Sequence, residues 1–141
     1  NQFGLLGAEA NEIVPYKRPL SSMTPTIVMK DNELFFTTGS PGGSRIISAV
    51  LQSILNIIDF DMDLEEATFA KRIHHQWQPD ILEIELSIEN EMKDSLEMMG
   101  YEIEIKEPLT CVQTIMFDKD KYYGYGDFRR PDAFASGKIN D

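Results

Sequence analysis

Two adjacent glycines, Gly42 and Gly43, lie in the segment of this sequence that is best suited to receive negative charge. They belong to residues 39–44, Gly-Ser-Pro-Gly-Gly-Ser, between a predicted strand and a predicted helix. A helix N-terminus has unpartnered N–H groups and partial positive charge, and glycine lets a ligand approach the backbone closely. The segment therefore predicts a site for a phosphate, a carboxylate or an acyl-transfer oxyanion. It lacks the lysine of a Walker loop, and on its own it also fits an ordinary strand-to-helix turn.

A pair of hydroxyls, Ser21 and Ser22, is the second candidate site. The serines lie between prolines in residues 19–25, Pro-Leu-Ser-Ser-Met-Thr-Pro, and the prolines restrict the backbone around them. The neighbouring Lys17 and Arg18 favour a carboxylate as the ligand. Taken alone, the segment is more typical of an ordinary polar turn ahead of a strand.

A predicted hairpin and a predicted helix position the glycine segment. Residues 26–30 and 34–38 read as two strands joined by a turn at Asp31 and Asn32. Beyond the glycines, apolar residues recur at three- and four-residue steps, which predicts a helix with a wide buried face. These residues are Ile46, Ile47, Val50, Leu51, Ile54, Leu55 and Ile58.

The rest of the chain alternates between short helices and strands. Asp63 and Glu66 have the capping-box spacing for a helix over residues 64–71, and Gly100 ends a helix predicted over 87–99, with Met92, Leu96 and Met99 on one face. Strands are predicted over 81–86, 101–105, 112–117 and 121–125. Without an internal repeat, this mixture predicts one α+β layered domain over residues 1–141.

The composition argues against several kinds of site and partner. With 24 acidic and 13 basic residues the net charge is −11, and no basic stripe is present, so nucleic acid and anionic membranes are poor partners. No stretch approaches the roughly 20 apolar residues of a membrane span. Cys111 is the only cysteine and is predicted to be a buried structural thiol. The adjacent His74 and His75 point in different directions, so we expect structural roles rather than a metal site.

Several motifs together resemble one family. Residues 19–26, 39–47 and 72–77, the last reading Arg-Ile-His-His-Gln-Trp before Pro79 and Asp80, occur in the order and spacing of γ-glutamyltranspeptidases. Over essentially its whole length, the chain resembles the C-terminal part of the small subunit of that family, in its bacterial form. The resemblance implies part of the αββα sandwich of N-terminal-nucleophile hydrolases.

The resemblance also implies an activity. In this family a precursor cleaves itself, and the new N-terminal Thr of the small subunit attacks the γ-glutamyl amide of glutathione or a related donor. Water or an acceptor amine then resolves the acyl-enzyme. The family requires no cofactor and no catalytic metal. Alternatives on the same fold are a β-lactam acylase or a capsule-type transpeptidase, and a further alternative is a non-catalytic module that binds γ-glutamyl compounds or a partner.

By the same resemblance, the two candidate sites acquire roles. The N–H groups of Gly42 and Gly43 would stabilise the oxyanion, and Ser21 and Ser22 would bind the α-carboxylate of the γ-glutamyl group. Phe3 falls at the position of an aromatic lid residue, with a loop aromatic that rests on the core as the alternative. Two structural roles are also expected, an Asp127–Arg129 ion pair near the chain end and packing for Trp77.

Other parts of the implied enzyme lie outside this chain. The nucleophilic Thr and the residues that hold the α-amino group precede Asn1, which has no hydroxyl, so we expect the chain to be cut from a longer one and inactive alone. The expected partners are the large subunit, which supplies an Arg to the α-carboxylate, and a γ-glutamyl donor such as glutathione. A missing central strand predicts self-association. The resemblance favours the periplasm or the cell exterior, with a cytoplasmic location as the alternative.

Overall fold

The computed structural model describes residues 7–86, 88 and 90–137. In this part of the chain seven strands form two sheets, and three α-helices accompany them. The elements are β1 (Thr26–Lys30), β2 (Glu33–Gly39), α1 (Arg45–Ile58), α2 (Leu64–Phe69), β3 (Ile73–His74), β4 (Leu82–Ile84), α3 (Asn90–Met98), β5 (Ile103–Ile105), β6 (Gln113–Asp118) and β7 (Lys121–Gly124).

The larger sheet is antiparallel, with the strand order β1-β2-β6-β7. The predicted hairpin of β1 and β2 is confirmed, and its turn residues Asp31 and Asn32 both have positive φ, at 53° and 67°. Such turns match the right-handed twist of paired strands. On the other side of β2, β6 pairs in a register that places Phe36 beside Met116. Strand β6, from the C-terminal third of the chain, therefore lies beside β2, the strand that leads to the glycines.

Helices α1 and α2 cover one face of the larger sheet. Their apolar stripes bury Ile57, Leu64 and Ala67 against Phe36, whose side chain is fully buried. The capping box of α2 is present as predicted: the Glu66 N–H donates to Asp63 Oδ1, and the Asp63 N–H donates to Glu66 Oε2. This face is the hydrophobic core of the larger sheet.

The opposite face of the larger sheet, which we call the open face, carries the row Ile27, Thr37 and Ile115 across three strands. Ile27 is 70% exposed and Ile115 is 54% exposed. Because alternate residues of a strand point to opposite faces, this row lies behind the buried row that contains Phe36. The larger sheet is therefore one half of a layered structure, and its open face is covered by described residues at β7, where Ala135 lies next to Gly124, while Ile27 and Ile115 stay exposed.

The smaller sheet differs from the sequence prediction. Strand β4 pairs antiparallel with β3 and parallel with β5, with α3 as the crossover connection, and the sequence had predicted no partner for these strands. The short strand β3 was missed. Helix α3 begins at Asn90, later than predicted, and contains no buried residue; Met92, on its predicted packing face, is 54% exposed. The predicted α+β fold class nevertheless holds across both sheets.

Candidate functional site

The glycine segment forms a tight turn between β2 and α1. Gly42 has φ 129° and Gly43 has φ 62°, values that favour glycine over residues with a side chain. The carbonyls of Gly42 and Gly43 accept the N–H groups of Arg45 and Ile46, each at 3.2 Å, and so start the helix. Within the described residues, neither glycine N–H donates to a protein acceptor. Two consecutive backbone donors are thus available at a partly exposed turn.

A second segment packs beneath this turn and fixes it. The Thr110 hydroxyl donates to the carbonyl of Pro41, and a Cβ built on Gly42 would lie 2.8 Å from Thr110 Oγ1. Ser40 Oγ lies 2.9 Å from Thr110 Oγ1 and 2.7 Å from the Cys111 carbonyl oxygen. The Cys111 side chain is buried, as predicted. The turn therefore accepts no side chain at Gly42 unless Thr110 or the turn itself shifts.

The serine pair meets the glycine turn directly. Ser22 Oγ donates to the Gly43 carbonyl at 2.8 Å, although the two residues are 21 positions apart. Ser21 Oγ accepts the Met23 N–H at 3.2 Å, which leaves its hydroxyl proton for another acceptor. From the sequence we predicted that both hydroxyls bind a ligand, whereas in the structure the Ser22 hydroxyl donates its proton to the Gly43 carbonyl. The two predicted anion-receiving segments are nevertheless adjacent.

The His-His-Gln-Trp motif attaches α1 to the smaller sheet. Ser48 Oγ lies 2.7 Å from His74 Nδ1, and Ser44 Oγ donates to Gln76 Oε1 at 2.6 Å. Burial lowers the pKa of His74 below its ordinary value, so the imidazole is neutral at neutral pH. Arg45 adds a two-bond ion pair to Glu83, at 2.6 and 2.5 Å. These contacts hold the first turns of α1, which begin directly after the glycines.

In the second half of that motif, Trp77 differs from its prediction and His75 does not. His75 Nε2 lies 3.0 Å from Asp80 Oδ1. Trp77 is 69% exposed and has φ 73°, so the predicted packing role is not observed among the described residues. The structural roles predicted for both histidines are consistent with these contacts. Phe3, the predicted lid residue, lies outside the described residues.

A buried cluster of two arginines and two carboxylates docks the end of the chain. The predicted Asp127–Arg129 pair is present at 3.1 Å, and Arg129 also donates twice to Glu85, at 2.6 Å each. Arg72 lies 2.9 Å from Asp127, whose side chain is fully buried. The sequence analysis missed Glu85 and the role of Arg72. The only sign of these two residues in the sequence was that each is a charged residue within or beside an apolar strand.

The buried cluster is connected to the glycine turn through residues 110–112. Arg72 Nη1 donates to the Thr110 carbonyl at 2.9 Å, and Asp127 Oδ2 accepts the Val112 N–H at 2.9 Å. Thr110 then contacts Pro41 through its hydroxyl. The last segment of the chain thus supports the turn by way of one backbone stretch.

Comparison with known proteins identifies a family. The sequence profile of the gamma-glutamyltranspeptidase family matches residues 1–137. The chain is 46% identical over 138 residues to the glutathione hydrolase proenzyme of Escherichia coli, which covers 97% of this chain and 24% of that protein. It therefore spans about a quarter of the length of that relative.

Solved structures agree with the sequence comparison. A γ-glutamyltranspeptidase of Helicobacter pylori, in its T380A form, superposes with a TM-score of 0.87 at 49% identity, over 92% of this chain and 73% of that chain. The transpeptidase CapD of Bacillus anthracis superposes with a TM-score of 0.74 at 26% identity, over 87% of this chain and 75% of that chain. The predicted fold, α+β and part of an N-terminal-nucleophile αββα sandwich, is confirmed. No helix among the described residues is long and apolar enough to cross a membrane.

Proposed function

The chain belongs to the gamma-glutamyltranspeptidase family, and we propose that it forms the C-terminal part of the small subunit of such an enzyme. The complete enzyme cleaves the γ-glutamyl amide of donors such as glutathione and transfers the acyl group to water, amino acids or peptides. In this proposal the chain supplies two walls of the donor site. The nucleophilic Thr and the large subunit supply the remainder, so the chain alone is inactive.

One observation carries the proposal, the hydrogen bond from Ser22 to the Gly43 carbonyl. It places a hydroxyl pair and two unused backbone N–H groups side by side, as a γ-glutamyl donor requires at its two ends. The N–H groups of Gly42 and Gly43 stabilise the oxyanion that forms at the γ-carbonyl. Such a donor typically contributes about 2.7–4 kcal/mol to transition-state stabilisation.

The hydroxyls serve the other end of the donor. Ser21 donates its proton to the α-carboxylate, since its present bond uses only a lone pair. The Ser22 hydroxyl rotates from the Gly43 carbonyl to the carboxylate when a donor binds, because a serine O–H reorients freely. Each bond to a charged group contributes about 1.5–3 kcal/mol. Together the two serines select a donor that carries an α-carboxylate.

The remaining assignments follow from family membership. The open face of the larger sheet receives the second sheet of the sandwich, which the rest of the small subunit and the large subunit provide. The aromatic at Phe3 screens the donor pocket. The complete protein is exported to the periplasm or the cell exterior. The identity of 49% to a γ-glutamyltranspeptidase, against 26% to CapD, favours γ-glutamyl donors over capsule-type substrates.

Replacement of Gly42 tests the proposal. In the complete enzyme that carries this chain, Gly42→Val abolishes turnover of a chromogenic γ-glutamyl anilide but leaves binding of γ-glutamyl compounds largely intact. The added side chain meets Thr110 and displaces the turn that carries the two N–H groups, whereas the serines are untouched. Gly39→Ala is the matched control, because no atom lies within 4 Å of a Cβ there. Near-normal turnover of Gly42→Val would contradict the assignment.

A further inference from the structure

We propose that Thr110 is a positioning residue for the Gly42 N–H, an inference that rests on the proposed function. Thr110 lies in the connection between β5 and β6, about 70 residues from the glycine turn in sequence. Its side chain is the nearest group beneath Gly42. Its hydroxyl determines which way the peptide between Pro41 and Gly42 faces.

The hydrogen bonds around Thr110 assign its proton. Ser40 and Thr110 together have two hydroxyl protons, and the carbonyls of Pro41 and Cys111 are two acceptors. Of these carbonyls, only that of Pro41 accepts from Thr110, whereas Ser40 reaches both. The arrangement that satisfies both carbonyls therefore places the Ser40 proton on Cys111 and the Thr110 proton on Pro41.

The direction of the Gly42 N–H follows from peptide geometry. The Pro41–Gly42 bond is trans, and in a planar trans peptide the C=O and N–H point in opposite directions. Because the Pro41 carbonyl is held towards Thr110, the Gly42 N–H points away from Thr110 and towards the partly exposed side of the turn. That is the side on which an oxyanion would sit.

The turn needs such an anchor because glycine does not supply one. Gly42 has φ 129°, and glycine populates positive and negative φ about equally. Loss of the Thr110 hydroxyl leaves the single Ser40 proton for the carbonyls of Pro41 and Cys111, which loosens the peptide and lets the Pro41 carbonyl turn towards the oxyanion. Thr110 itself is fixed on its backbone side by the Arg72 guanidinium, which donates to its carbonyl at 2.9 Å.

Three substitutions at Thr110 in the complete enzyme test this inference with a chromogenic γ-glutamyl anilide. Thr110→Val keeps the shape and removes the hydroxyl; we expect kcat to fall about tenfold or more, towards the 10²–10³ of a lost oxyanion donor. KM stays unchanged, because the interaction is made in the transition state only. Thr110→Ser restores kcat, and Thr110→Ala does not. Thr68→Val is the control, since Thr68 is a buried threonine whose hydroxyl donates to a helix carbonyl.

The outcomes separate this inference from the proposed function. Loss of turnover in Gly42→Val with unchanged kcat in Thr110→Val overturns the role of Thr110 and leaves the proposed function intact. Turnover in Gly42→Val overturns the proposed function itself. If Thr110→Val fails to fold, the comparison of Thr110→Ser with Thr110→Ala decides: equal kcat values overturn the inference, and a higher kcat for Ser supports it.

Discussion

At the scale of single residues, the proposed chemistry of this chain depends on the backbone conformation of Gly42 and Gly43. Both have positive φ and both leave an N–H unused within the described residues. The Ser22 hydroxyl donates to the carbonyl of Gly43, so a hydrogen bond connects the two halves of the proposed donor site. Substitution of one serine is therefore expected to differ in effect from substitution of the other.

Ser21→Ala and Ser22→Ala separate the two serine roles in the complete enzyme. Ser21→Ala raises KM for a γ-glutamyl donor about tenfold or more and barely changes kcat, because a bond to the α-carboxylate is lost in ground and transition states alike. Ser22→Ala raises KM less than Ser21→Ala does, because the wild-type Ser22 hydroxyl gives up its bond to the Gly43 carbonyl when it turns to the carboxylate. Steady-state kinetics measure both constants, and Ser95→Ala on α3 is the control. Identical profiles for the two variants would contradict this division.

The buried ion cluster gives a second prediction for a single residue. Asp127→Asn removes the negative charge of a fully buried side chain and leaves Arg72 without its ion-pair partner. Breaking a buried pair in this way costs about 3–5 kcal/mol of unfolding free energy. Denaturant unfolding of the complete protein measures the loss. Asp132→Asn is the matched control at an exposed site, and an equal effect of both substitutions would show that the cluster does not stabilise the fold.

At the scale of elements, α1 connects the glycine turn to both sheets. Its apolar side packs on β2, and its polar side reaches β3 and β4 through Ser48, Arg45 and their partners His74 and Glu83. Burial favours the neutral form of His74, so this contact is sensitive to acid. The position of the helix start, and with it the glycine turn, depends on contacts made by the first turn of the helix.

The neutral His74 predicts how stability changes with pH. Its pKa in the folded protein lies below the ordinary histidine value of 6.5, so the unfolded chain binds protons more readily. This contribution to stability is complete above about pH 6.5 and is lost as the pH falls towards the folded pKa. Thermal unfolding midpoints between about pH 5 and pH 7 measure the slope. His74→Asn removes the titrating group; if the slope persists in that variant, another residue is responsible.

At the scale of the whole molecule, the described helices cover only one face of the larger sheet. Helices α1 and α2 bury the Phe36 row, while the Ile27–Thr37–Ile115 row remains on the open face. Exposed apolar surface of this kind favours association. A sandwich with a second sheet on the open face would remove it. The chain taken alone therefore exposes an apolar surface that favours binding to another protein surface.

Self-association of the isolated 141-residue chain follows from the open face. Sedimentation velocity is expected to show concentration-dependent association of the unaltered chain. Replacing Ile27 and Ile115 together by Thr weakens it, because both side chains are removed from the exposed row. Met98→Thr is the control, since Met98 is exposed on α3, away from this face. A monodisperse monomer that melts cooperatively would refute the prediction.

The sequence by itself determined the family, the strand–glycine–helix segment and most of the elements. The 3.6-residue period of α1, the turn at Asp31 and Asn32, and the Asp63–Glu66 spacing are local signals, written within a few residues of the structure that they specify. Family resemblance then supplied the roles that we propose for Gly42 and Ser21, which the local pattern left open. These features needed no knowledge of which segments meet in space.

Only the tertiary structure decided what surrounds those glycines. Thr110 reaches Pro41 across 69 positions, and Arg129 reaches Glu85 across 44. Such contacts have no periodic signature, because a hydroxyl or a buried charge finds its partner through the packing of whole elements. The parallel pairing of β4 with β5 has the same origin. The sequence predicted two segments that receive anions, and the fold placed them side by side with Thr110 beneath the turn.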